Sequence, residues 1–181
     1  LQLRGSGSIL GDIQSGFIAN VGLNIFNQYV LESLDESIET VKPAIKPDIK
    51  LDCYWGSSIP KIYVHADSER IDIYKRLEHT HHTKVDHIKD EIIDRFGELP
   101  EVTYNLFITA KIRSVLSEKN ISRCKITEFQ IELFPIDLTE EINLKMKTLD
   151  KKFIFRNKRL VLNFKNALSP DSVYQLLNSN L

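Results

Sequence analysis

A sharp break at Phe96-Gly97-Glu98-Leu99-Pro100 separates two helical patterns and constrains the fold more than any other feature of the chain. Upstream, Val85, Ile88, Ile92 and Phe96 recur at steps of three and four, which places them on one face of an amphipathic helix. Downstream, Val102, Leu106 and Ala110, with a rim of Ile112 and Val115, mark a second helix from about Glu101 to Lys119. Gly97 is free to take the left-handed backbone that ends a helix and Pro100 cannot continue one, so the first helix must stop here. Asn120 is a fair left-handed terminator for the second. Glu91 and Arg95 lie one turn apart, acid first, and contribute roughly 0.3 kcal/mol if exposed.

Other elements follow from period and punctuation. From Arg4 to Gly16 four glycines and three serines surround Ile9, Leu10 and Ile13, a composition suited to a sharply turning loop. Ile25, Phe26, Tyr29, Val30, Leu34, Ile38 and Val41 then form the stripe of a helix, which Pro43 and Pro47 end. Extended structure is expected at Lys50 to Trp55 and again at Lys61 to His65. Ser68 is placed to cap a helix carrying Ile71, Tyr74 and Leu77, and Thr83 to cap the next, so two antiparallel helices result. Beyond residue 127 the period changes: Phe129, Ile131 and Leu133 alternate with Glu128, Gln130 and Glu132, as in a half-buried antiparallel strand. A helix from about Leu138 to Leu149 precedes a hairpin in which Phe153-Ile154-Phe155 and Leu160-Val161-Leu162 flank Arg156-Asn157-Lys158-Arg159. Ser169 and Pro170 supply the cap and first-turn proline of a last helix ending near Leu177. The fold class is α+β, a helical N-terminal half with a small, mainly antiparallel sheet packed against helices. The expected division is a loop and helix at 1–46 and a domain at 47–181.

Charge and cysteine usage narrow the function. Lysine and arginine number 24 against 25 aspartates and glutamates, so no global basic excess exists to hold a phosphate backbone unaided. Cys53 and Cys124 are far apart in sequence and in no metal-ligand spacing, which fits a reducing, cytoplasmic setting. The start at Leu1 carries neither an initiating methionine nor a signal-peptide pattern, and no apolar run reaches bilayer-spanning length. The chain reads as a fragment of a longer soluble protein.

No glycine-rich loop ends in Gly-Lys-Ser or Gly-Lys-Thr, so the backbone cradle and lysine of a nucleotide-hydrolysing P-loop are missing. Neither cysteine has the surroundings of an activated thiolate. In the run Glu78-His79-Thr80-His81-His82-Thr83, His79 and His82 share a helix face and Asp86 follows by one turn, so a metal site is one reading. The other is a solvated helix connection, favoured because no glycine or cysteine scaffold fixes the ligands. Arg4 and Gln14 on their glycine-rich loop could sense a neighbouring domain or a DNA backbone, although a structural turn accounts for them as well. Lys75-Arg76 and Arg156-Asn157-Lys158-Arg159 are short basic groups suited to a wet surface, whereas Tyr54, Trp55 and Tyr63 are expected in the core.

Two blocks carry a resemblance. Leu3 to Gly16 is similar to the motif that follows the second helicase lobe in transcription-repair coupling factors and in RecG fork-remodelling translocases. Ile59-Pro60, Tyr63-Val64, Arg70, Tyr74-Lys75-Arg76-Leu77, Asp94-Arg95-Phe96-Gly97-Glu98-Leu99-Pro100 and Asn105-Leu106 resemble the C-terminal domain of the coupling factors, which RecG lacks. The resemblance runs from Leu3 to about Ile126. It implies the C-terminal end of a double-stranded-DNA translocase that displaces stalled RNA polymerase and recruits UvrA for excision repair. It further implies that Arg4, Gly5, Gly7, Gly11, Gln14 and Gly16 belong to the translocation motif, with Arg4 and Gln14 coupling ATP hydrolysis to movement. Arg70, Tyr74, Lys75, Arg76, Asp94, Arg95, Phe96, Gly97 and Pro100 would be structural or docking residues of a regulatory domain that masks the parent's N-terminal UvrA-binding region. On that reading ATP and Mg bind in the parent's helicase lobes, no cofactor or metal belongs to this piece, and Lys75, Arg76, Glu91 and Arg95 are rim charges for docking. The alternative is a DNA-contacting module of a RecG-like translocase.

Overall fold

The computed structural model describes residues 49–136, 139–148 and 153–181. The expected loop and helix before Pro43, with Arg4, Gly5, Gly7, Gly11, Gln14 and Gly16, lie outside the described residues, as does the 1–46 segment of the expected domain division. The element order is β1 (Lys50–Cys53), α1 (Asp67–His79), a 3-10 turn (His82–Lys84), α2 (Val85–Phe96), α3 (Glu101–Glu118), β2 (Arg123–Thr127), β3 (Gln130–Phe134), α4 (Glu140–Thr148), β4 (Phe153–Arg156), β5 (Arg159–Asn163) and α5 (Pro170–Asn180). The class is α+β, as the sequence implies.

One mixed sheet has the order β1-β2-β3-β5-β4. β1 runs parallel to β2, because the chain between them crosses over through the helices, and every other pair is antiparallel. Register builds two apolar rows on the inner face: Leu51, Cys124, Leu133 and Leu160 form one, and Ile126, Ile131 and Leu162 the next. Ile108, Ile112, Val115 and Leu116 of α3 and Val173 and Leu177 of α5 close over these rows. A second core holds Ile59, Val64, Ile73, Leu77, Val85, Ile88, Ile92 and Phe107. α3 is thus the wall between the two cores, which explains why Ile112 and Val115, expected at a rim, are fully buried.

Several expectations are corrected by local physics. Lys61 to His65 is a turn, not a strand: the Pro60 carbonyl accepts from the amides of Tyr63 at 3.0 Å and Val64 at 3.1 Å. Only Val64 of that run is buried, and Ile62 is 84% exposed. α1 starts at Asp67 with Ala66 in the cap position and no side-chain cap bond, so Ser68 is no N-cap; Asp67 and Glu69 stand in the first turn, where the helix dipole favours acidic side chains. Its buried stripe is Arg70, Ile73 and Leu77, with Ile71 exposed, because the arginine stem and guanidinium are drawn inward. Thr83 is inside the 3-10 turn, and the His81 ring accepts from its amide. Tyr54 is exposed rather than core, while Trp55 is buried with its indole N–H donating to Thr109 Oγ1 at 3.1 Å.

Gly97 has φ 86° and ψ −163°, so φ is positive as expected but the residue is not in the left-handed helical well. It occupies a region that only glycine enters readily, and its amide still closes the helix on the Ile93 carbonyl at 2.8 Å. Asn120, at φ 55°, fulfils its expected role. Phe129 falls in the turn between β2 and β3 and is exposed; β2 itself, with Cys124 and Ile126 inward, extends the alternation upstream of where period alone placed it. The hairpin turn is tight, with Asn157 and Lys158 both at positive φ, and α5 begins in a full capping box of Ser169 and Ser172.

Candidate docking domain and its histidine seam

The residues that carried the resemblance are brought together by the structure, largely to hold one another. Arg70, 5% exposed, donates from Nη1 to the carbonyls of Val64 at 2.7 Å and His65 at 3.1 Å, and from Nη2 to Asp67. Tyr74 Oη accepts from the Ile59 amide at 2.8 Å, and Tyr63 Oη donates to the Gly97 carbonyl at 2.8 Å. The Tyr63 ring meets Phe96 edge-on at 6.1 Å. The 59–65 turn is therefore pinned to α1 by Arg70 and Tyr74 and to the end of α2 by Tyr63. Pro100 occupies the cap position of α3, its carbonyl accepting from Thr103 and Tyr104, both at 2.9 Å.

Across α1 and α2, Arg76 grips Glu91 with both terminal guanidinium nitrogens, Nη1 at 2.9 Å from Oε1 and Nη2 on Oε2. Arg95 adds a bond to Glu69 at 2.8 Å, a looser contact to Glu91 at 3.6 Å, and a stack over Phe96 at 4.8 Å. The hydrogen bond from Arg76 holds the Glu91 carboxyl below its usual range, against the opposing effect of burial, with Arg95 assisting. Glu91 in turn raises Arg76. Arg76, Glu91 and Arg95 are thus paired within the domain; Lys75 and Asp94 are exposed on its surface.

A second polar network lines the seam between the helical half and α5. Lys111, buried in α3, donates to both oxygens of Asp86 at 2.8 and 2.7 Å and lies over the Tyr174 ring at 5.3 Å. Burial pushes the Asp86 carboxyl up, but the bonds from Lys111 and Lys89 outweigh it and the net direction is down. Tyr104 donates to Asp171 at 2.8 Å, a bond that with burial pushes its hydroxyl up to about 12. His82 pairs through Nδ1 with Tyr174 Oη at 3.1 Å, and its amide donates to Ser114 Oγ at 3.0 Å.

The expected ligand trio of His79, His82 and Asp86 does not assemble: Asp86 is held by the two lysines, and His79 turns back to the Lys75 carbonyl at 2.9 Å. The structure gathers His81, His82 and Glu118 instead. No spacing pattern could have found Glu118, more than thirty residues away. Both cysteines are free thiols pushed up by burial, Cys53 to about 12 and Cys124 well above its ordinary value.

The outer face of the sheet differs from the inner. Register sets Lys50 beside Arg123, Asp52 beside Lys125 and Lys125 beside Glu132, with Arg156 opposite Arg159 at the far edge. Phe134 and Ile154 are exposed among these charges. Arg159 reaches across to Glu132 at 2.7 Å, which leaves the cations in excess on this face. A shallow basin there is lined by Arg123, Glu132, Phe134, Arg156, Asn157 and Arg159. No described helix is long and apolar enough to cross a membrane.

Residues 55–148 match the TRCF domain family. The chain is 34% identical over 130 residues to the transcription-repair-coupling factor of Buchnera aphidicola subsp. Acyrthosiphon pisum, covering 69% of this chain and 16% of that protein. It is 31% identical over 148 residues to that of Staphylococcus epidermidis, covering 79% and 12%, and 31% identical over 130 residues to that of Bacillus subtilis, covering 69% and 11%. The chain therefore spans only a small part of the length of the relatives it matches. A crystal structure of the C-terminal domain of a transcription-repair coupling factor superposes with a TM-score of 0.62 at 20% identity, covering 75% of this chain and 91% of that one, which supports the fold alone. With the TRCF match extending over residues 55–148 and relatives above 30% identity across more than two thirds of its length, the chain belongs to the transcription-repair coupling factor family.

Proposed function

We propose that this chain is a non-catalytic regulatory module that docks on another region of its own longer polypeptide. The parent would be an ATP-driven translocase on double-stranded DNA that displaces stalled RNA polymerase and recruits UvrA, and the docked surface its N-terminal UvrA-binding region. ATP and Mg would bind in the helicase lobes of the parent, which acts in the cytoplasm. Residues 1–46, with Arg4 and Gln14, would trail the second lobe, and 47–181 would be the docking domain.

The observation that carries this reading is the division of labour between the two faces. The helix rim is closed upon itself, so a partner engaging Arg76, Glu91 or Arg95 would have to break existing pairs. The outer sheet face instead offers exposed cations around Phe134 and Ile154, a small apolar centre inside a polar rim. A weak contact of that kind is sufficient within one polypeptide, because the linker raises the effective concentration of the partner to about the millimolar range. Release on engagement of DNA or polymerase then requires a differential of only a few kcal/mol. Titration of the purified N-terminal region of the parent into this chain tests the reading. Binding that weakens with salt and with Lys125→Glu is expected; absence of binding to the wild-type chain contradicts it.

The same cations favour a second reading, a module that contacts the duplex directly. Phosphate contacts release counterions, so that reading requires duplex binding by this chain with a steep fall in affinity as salt rises.

A further inference from the structure

We propose that His81, His82 and Glu118 form a site for a divalent late first-row transition-metal ion, independent of the docking reading. One ligand atom from each lies within 4.8 Å of the others. The two imidazoles converge on a single carboxylate oxygen: His81 Nε2 is 3.0 Å from Glu118 Oε1, and His82 Nε2 is 3.8 Å from the same atom. Ligands about 2.0–2.1 Å from a tetrahedral ion stand about 3.3 Å apart, and the two observed separations bracket that value. The longer one is beyond hydrogen-bond reach, so the carboxylate oxygen satisfies only one of the two rings that face it.

The outer contacts are those that metal-binding imidazoles use. With Nε2 on the ion, each ring must carry its proton on Nδ1 and give it to an acceptor. His81 Nδ1 lies 2.8 Å from Thr83 Oγ1, and His82 Nδ1 lies 3.1 Å from Tyr174 Oη. The His81 contact is open to either tautomer, since in the present arrangement that nitrogen also accepts weakly from the Thr83 amide at 3.4 Å. Ser114 ties the set together, its Oγ accepting from the His82 amide at 3.0 Å and donating to Glu118 Oε1 at 3.3 Å. The rings lie 4.3 Å apart between centroids, tilted by 34°.

Two imidazoles and one carboxylate suit zinc or its neighbours and leave a coordination position to solvent. Placement gives the ion a structural consequence. His81 and His82 belong to the connection between α1 and α2, Glu118 ends α3, and Tyr174 belongs to α5, so a bound ion would fasten the helical half to the seam against the sheet.

The test is calorimetric titration of zinc chloride into the tag-free chain, with the thermal midpoint recorded in zinc and in EDTA. Wild type is expected to bind one zinc and to melt higher in zinc than in EDTA. Glu118→Gln, which keeps the bond from Ser114, and His81→Ala are each expected to lose about tenfold or more in affinity. His79→Ala, which changes an exposed histidine outside the cluster, is expected to bind as wild type. Melting in EDTA shows that each variant is folded, and if His81→Ala is not, the isosteric Glu118→Gln decides. No zinc binding by the wild-type chain overturns the proposal, as does binding that Glu118→Gln leaves unchanged or that His79→Ala weakens equally.

Discussion

Replacing Arg70 by methionine isolates the bond network that holds the 59–65 turn to the helices. Methionine keeps most of the apolar stem volume, so the packing of α1 against Val64 and Ile73 changes little. What disappears is a buried guanidinium with two carbonyl partners, Val64 at 2.7 Å and His65 at 3.1 Å. A hydrogen bond to a charged group contributes about 1.5–3 kcal/mol, and the Val64 carbonyl, on a fully buried residue, has no easy access to water as a substitute. His65 is exposed and its carbonyl can rehydrate, and Asp67 is mostly exposed, so those two partners add at most about 1 kcal/mol together. The expected loss is about 2–4 kcal/mol, or on the order of 10 °C in thermal midpoint for a domain of this size. Urea and thermal denaturation followed by circular dichroism measure it. Lysine at this position, with a single ammonium able to reach one carbonyl well, should fall between methionine and wild type. A methionine variant within about 0.5 kcal/mol of wild type would refute the argument that the resemblance-bearing residues form a framework.

Gly97→Ala is expected to destabilise by about 1–3 kcal/mol even though no atom lies within 4 Å of the added methyl, because the strain is in a backbone conformation that alanine avoids; an unchanged denaturation midpoint would show the turn to be adaptable. Asp86→Asn, which leaves Lys111 buried with a weaker partner, should cost about 1–3 kcal/mol near neutral pH by denaturant titration. Since the folded carboxyl titrates below the ordinary 3.8, its contribution is complete above that value and is lost as pH falls through the depressed one, so the variant should show a shallower decline in stability on the acid side than wild type. Ser169→Ala removes a capping box and should lower stability by about 1 kcal/mol in the same assay, and no change would mean that α5 is held by Val173 and Leu177 alone.

What could be read from the chain followed from how local the cause was. The stop at Gly97 and Pro100, the terminator Asn120, the cap Ser169 and the hairpin about Asn157 and Lys158 depend on residues a few positions apart, and all four appear where their chemistry places them. Ser68 is a better cap in isolation than Ala66, yet α1 starts at Asp67, which is drawn into the first turn beside Arg70. Arg70 itself was recognisable as a signature residue but not as a buried one, since only the fold brings the Val64 and His65 carbonyls to it. Lys61 to His65 has the composition of a strand, and the Pro60 carbonyl turned it into a tight bend. The histidine run pointed to the right neighbourhood with the wrong partners: His81 and Glu118 meet across 37 positions, and His82 and Tyr174 across 92, distances at which pattern carries no information. The parallel pairing of β1 with β2 was hidden for the same reason, being decided by the crossover through three helices.

The most direct test is in the full-length parent, with Lys125 and Arg123 on the outer sheet face changed to glutamate and compared with Lys75→Glu on the helix rim. If the sheet face masks the UvrA-binding region, the double reversal raises both UvrA binding and idle ATP hydrolysis while Lys75→Glu changes neither. If the double reversal leaves both at wild-type levels with the domain still folded, or if the helix-rim change alone raises them, docking through this face is contradicted.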